Sequence, residues 1–266
     1  MFTFKNQYFV TTTEPDNDYI IKNSIGREIA NRIIRAHRAK QKFRVYVVLA
    51  LLPGLENQNQ IKAVQYYNLR SIKVGEFSVF NALKRAGITD PSEYITFHGM
   101  RSWAVLMGKL VQEIIYVHSK TMIVDDKIVL CGSANINDRS LIGKRDSELA
   151  AVMRDEEFMA SKLNGKKCLV GKMAYSFRVK LYKLHLGIYF NNPERIDVSD
   201  IVSDEFWNMF RRVSRENTLI YDDVFKCMPS DNILTFDDLK NYTSRDSLRK
   251  SDPVLVSTTL SLSIYI

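Results

Sequence analysis

A chain of 266 residues, 45% of them hydrophobic, can bury one sizeable core or two small ones. Its three cysteines, Cys131, Cys168 and Cys227, are too scattered for a disulfide framework, and its longest apolar runs, near Tyr46–Leu52 and Leu260–Ile266, are too short to span a bilayer. The formal net charge of +8 favours an anionic partner, without choosing between a membrane surface, nucleic acid and a phosphate-rich substrate.

Phe2–Val10 alternates weakly and reads as a strand, and the polar stretch Thr11–Asp18 as a loop. Asn23 or Ser24 can cap a helix whose apolar face carries Ile25, Ile29, Ile33 and Ala36. Its other face carries Arg27, Arg32, Arg35, Arg38 and Lys40, a solvated surface or a contact for anionic headgroups. Phe43–Leu52 is a continuous valine-rich run, expected to be a strand covered on both faces and ended by Pro53-Gly54. Gln58–Val74 and Glu76–Ala86 read as helices, and Tyr94–Phe97 as a short strand before His98, read as structural. Ser147–Met153 is a further strand candidate. Beyond Asp155 the pattern is helical, with apolar residues at helical spacing in Gly171–Leu186 and Asp200–Arg212; His185 is expected to be packed there.

The stretch Tyr116–Ser140, YVHSKTMIVDDKIVLCGSANINDRS, carries the chemistry. Ile114–Val117 is β-branched or aromatic, so the run into His118 reads as a strand. His118 and Lys120 would then leave the same face of it. Val124–Ile128 reads as a hairpin turn, with Ile128–Leu130 as the partner strand. Gly132-Ser133-Ala134-Asn135 follows, small and polar enough to let backbone approach a ligand. An imidazole beside an ammonium, backed by Ser133 and Asn135, suits a phosphate oxyanion without metal or cofactor.

The spacing H-x-K-x4-D-x6-G-S-x-N resembles the HKD motif of the phospholipase D superfamily. The continuation GSANINDRSLIGKRDSELA resembles the second, C-terminal motif of the eukaryotic phosphatidylcholine-hydrolysing enzymes, and Asn6-Gln7-Tyr8-Phe9 a segment that lies between their two motifs. The resemblance implies an α/β fold, a mixed sheet flanked by helices, with a helical C-terminal section. It implies His118 as a catalytic histidine of general acid/base type, Lys120 and Asn135 as phosphate ligands, Ser133 as a substrate contact and Asp125 as supportive. Glu148 matches an acidic position that hydrogen-bonds the histidine ring. The domain reading is 1–155 for the catalytic half, 156–230 for a helical part of the same domain, and 231–266 for a divergent tail.

That mechanism uses two histidines across one phosphate, and the chain has one H-x-K. His37, His98 and His185 are each followed by the wrong residues. A second half is therefore expected from another chain or from a homodimer. The expected substrate is a phospholipid at a membrane surface, reached by a cytoplasmic, peripheral protein with no secretory leader. The alternatives are a truncated or inactive homologue bound to anionic membrane, and a superfamily nuclease, ranked lower because NINDRS and GKRDSELA look like the lipid enzymes.

Overall fold

The computed structural model describes residues 1–226, residue 237 and residues 262–264. Strands β1 (Phe2–Asn6), β2 (Val45–Leu49) and β3 (Ile95–Leu106) run parallel to one another. Strands β4 (Lys109–Ile114), β5 (Lys120–Val124), β6 (Ile128–Gly132) and β7 (Ala150–Arg154) follow in the chain. Strands β5, β6 and β7 continue the sheet antiparallel from β1, and β4 folds back on β3. A short strand, Leu262–Ile264, pairs antiparallel with β3. The sheet is therefore mixed, as expected, and helices cover both faces.

Burial along β2 explains the layering. Val45, Val47 and Leu49 join a core with helix α1 (Ile25–Arg38), helix α3 (Val79–Arg85), Phe4 and Phe97. Tyr46 and Val48 join the opposite core, with helix α5 (Lys172–His185) and helix α6 (Asp204–Phe225), whose Phe206, Trp207 and Phe210 surround the Tyr46 ring. Residues beyond 155 thus pack into the same core as the first half.

Several expected boundaries move. Helix α2 (Gln58–Leu69) closes in a π-turn at Arg70–Val74. The short strand at Tyr94 is a twelve-residue strand, because Arg101–Leu106 continues as a hairpin with β4. The region beyond Asp155 is not helical at first. It forms a hairpin of β8 (Phe158–Leu163) and β9 (Lys166–Gly171) around Asn164-Gly165, both at positive φ, the two-residue turn that asparagine and glycine favour. Cys131 and Cys168 are free. Among the described residues no helix is long and apolar enough to cross a membrane. Cys227 and most of the 231–266 tail lie outside the described residues.

Candidate active site

The C-terminal ends of the parallel strands define one edge of the sheet. Gln7 follows β1 there, Lys120 opens the antiparallel β5, Gly132 closes β6, and Glu148 precedes β7. An open cavity of about 520 Å³ lies at this edge, lined by Gln7, His118, Lys120, Ser133, Asn135 and Glu148 among others. Five of the six residues expected in the site therefore meet.

His118 reaches the cavity differently from the sequence reading. Strand β4 ends at Ile114 and β5 starts at Lys120, so His118 sits on an irregular segment between two strands. Ile115 still donates its amide to the Met100 carbonyl at 2.9 Å, but Val117 beyond it turns inward to the core shared with α5 and α6. His118 is exposed, with its ring nearly parallel to that of Tyr116, centroids 6.1 Å apart. Among the described residues nothing hydrogen-bonds the His118 ring.

Lys120 is 8% exposed, and its ammonium is held by neutral oxygens. It donates to the His118 carbonyl at 2.6 Å and to Gln7 Oε1 at 3.2 Å. An ammonium has three donors, so one remains for a ligand in the cavity. Burial pulls its pKa down, and the Glu148 carboxylate opposes this from a distance. Gln7 in turn donates to the Tyr116 hydroxyl at 2.6 Å, which ties the lysine and the histidine segment into one network. Gln7 and Tyr116 were not singled out in the sequence, although both lie inside the quoted motifs.

Gly132 lets β7 approach closely: a Cβ there would stand 2.6 Å from the Leu149 carbonyl. The Leu149 amide donates to Ser133 Oγ at 3.0 Å, and Ser133 donates its hydroxyl to Glu148. Glu148 thus orients Ser133 and not the His118 ring, and hydrogen bonds from Ser133 and Ser140 hold its carboxyl below the usual range. Asn135 is fixed by its backbone N–H, which donates to Ser140 Oγ at 3.1 Å, while its side-chain oxygen is buried without a partner. Asp138, the first residue of the short helix α4 (Asp138–Leu141), anchors the same loop by accepting from the Lys22 and Asn23 amides at 2.7 and 2.8 Å.

Asp125 is not brought to the cavity. It sits in the turn beyond Val124, the far end of β5, which lies about 13 Å from Lys120 along a strand at roughly 3.3 Å per residue. Its amide donates to the Met1 carbonyl at 3.0 Å, and its carboxylate contacts the Met1 amino group. The double-aspartate turn accounts for this residue through structure. Among the described residues no cluster of histidine, cysteine and carboxylate side chains could hold a metal.

The family model described as Phospholipase D matches residues 1–112 and 99–221. The chain belongs to the phospholipase D family. It is 40% identical over 257 residues to phospholipase D1 of Homo sapiens, covering 94% of this chain and 24% of that protein. It is 37% identical to phospholipase D2 of Bos taurus, covering 97% and 28%, and 36% identical to phospholipase D zeta 2 of Arabidopsis thaliana, covering 86% and 22%. The chain thus spans about a quarter of the length of these relatives.

Proposed function

We propose that this chain supplies one half of a phospholipase D active site that hydrolyses phosphatidylcholine to phosphatidic acid and choline. The observation that carries the reading is Lys120: a buried cation whose partners are a carbonyl and an amide, with a donor left over, in the same cavity as an exposed histidine. No carboxylate hydrogen-bonds the ammonium, so its remaining donor is open to an anion in the cavity. Lys120, Asn135 and Ser133 hold the phosphate. The nucleophile is the histidine of a complementary half, from a second copy or another chain. It attacks phosphorus, forming a P–N bond as the P–O bond to choline breaks, while His118 gives its proton to the choline oxygen. Water then attacks phosphorus, His118 takes the water proton, and the P–N bond breaks. Glu148 acts through Ser133, and Asp125 supports the β5–β6 turn. The protein works at the cytoplasmic surface of a membrane.

The test adds a primary alcohol to the assembled enzyme during turnover. A covalent phosphoenzyme is intercepted by the alcohol, so phosphatidyl alcohol should appear beside phosphatidic acid. Phosphatidic acid alone would remove the covalent step. Light scattering on the same sample reports whether activity follows a dimer.

A further inference from the structure

Strand β3 does not stop at the edge that carries the cavity. Its pairing with β2 ends at His98, and Arg101–Leu106 runs on as a two-stranded ribbon with β4. The six residue pairs from Arg101 to Leu106 span about 17 Å beyond that edge at roughly 3.3 Å per residue. The tip is Leu106-Met107-Gly108-Lys109, with Met107 and Gly108 at φ 51° and 72°. The β8–β9 hairpin fills the same kind of turn with asparagine and glycine. Methionine in the left-handed region satisfies no rule of turn chemistry, yet it stands here 94% exposed beside a 60% exposed Leu106.

A second apolar projection rises from the same edge. Helix α5 crosses beneath the sheet from Arg178, paired with Asp126, to Tyr182, whose hydroxyl meets Thr3 Oγ1. It then passes His185, which feels the charge of Lys5, so the helix travels toward the C-terminal end of β1. The loop beyond it ends in Tyr189 and Phe190, the latter 95% exposed. Further along the same edge, in the β6–β7 connection on the side away from β3, the cavity rim carries Lys144 and Arg145, both exposed, next to the lining residue Asp146.

We propose that this edge is a bilayer-docking face, in which Leu106–Met107 and Tyr189–Phe190 enter the lipid interface and Lys144 and Arg145 meet anionic headgroups. Aliphatic and aromatic tips flanked by cations match that boundary in both polarity and charge. The inference rests on the proposed function, because docking here presents the cavity to a phosphate in the bilayer.

The test compares the whole chain with two variants by flotation on phosphatidylcholine vesicles, with and without phosphatidic acid. Four exposed tips lose their apolar surface in Leu106→Ser/Met107→Ser/Tyr189→Ser/Phe190→Ser, so vesicle affinity should fall roughly tenfold or more. Its thermal midpoint and its turnover of a monomeric short-chain phosphatidylcholine, with the complementary half present, should hold. Lys144→Gln/Arg145→Gln should lose only the preference for anionic vesicles, as added salt does. Unchanged flotation of the first variant overturns the proposal. So does a shift from dimer to monomer in light scattering without loss of flotation, which would assign the tips to a second copy. Flotation that depends on the tips without hydrolysis of either substrate keeps the docking face and removes the lipase reading.

Discussion

The β5–β6 hairpin ends in a cation site at each edge of the sheet, and the two are built oppositely. At the turn, Arg178 and Asp126 are both fully buried and paired through two hydrogen bonds of 3.0 and 2.7 Å. Arg178 also donates to the Val198 and Ser199 carbonyls. At the open end, Lys120 has only neutral partners and keeps a donor free. A planar guanidinium fully met by a carboxylate fixes structure, whereas a point charge met by dipoles is available to a ligand. The difference separates a cation fully met by the fold from one open to a ligand, without reference to any motif.

The sharpest way to break this contrast is at the cavity. His118→Ala should lower phosphatidylcholine hydrolysis by the assembled enzyme by about 10⁴-fold, the upper range for a lost general acid/base. The side chain is exposed, so the unfolding midpoint should stay put. Activity that persists would take His118 out of the mechanism. At the turn the outcome should reverse. Arg178→Met strands a buried carboxylate and two carbonyls, so stability by urea unfolding should fall by about 3–5 kcal/mol. Adding Asp126→Asn should recover part of this loss, because the left-handed turn tolerates asparagine and no bare charge remains.

The asymmetry between the edges was only partly legible in the sequence. The H-x-K spacing marked one cation because the two residues are close in the chain. Arg178 and Asp126 lie 52 residues apart, and nothing local joins them. Likewise Val45–Leu49 read correctly as a strand buried on both faces, since its apolar run is continuous. His118 was placed on a strand because Ile114–Val117 has strand-forming residues, but Val117 is taken by the helical core instead. Gln7 was visible inside a quoted motif, yet its role depends on β1 lying beside β5, which is a tertiary fact. Asp125 fits the motif spacing and the turn equally well, and only the distance along β5 decides between them.

A second difference sets the exposed His118 against two buried histidines. His98 and His185 lie in the layer between the sheet and the C-terminal helices, and burial, helped by Arg211 and Lys5 respectively, pushes both down to about 3 from 6.5. Below pH 6.5 the unfolded chain takes up protons that the folded chain refuses until about pH 3. The unfolded state therefore binds more protons in that window, and stability falls as the pH drops. The slope should approach about 1.4 kcal/mol per pH unit for each histidine. Urea unfolding at stepped pH checks this, and a flat profile between pH 6 and 4 would mean that the two rings are not buried neutral.

The finest test converts one edge into an imitation of the other. Gln7→Glu keeps an acceptor for Lys120 but makes it anionic, as Asp126 is for Arg178. If the availability of the ammonium comes from its neutral partners, a carboxylate at Gln7 should weaken phosphate binding by roughly tenfold, by competing for the same charge. Gln7→Leu should cost less binding, because it removes a hydrogen bond and leaves the charge, though it loosens Tyr116 as well. Titration with inorganic phosphate reads both variants without requiring turnover. A glutamate that binds phosphate as well as the glutamine does would show that neutrality of the partners is incidental. The contrast between Lys120 and Arg178 would then lie in burial alone.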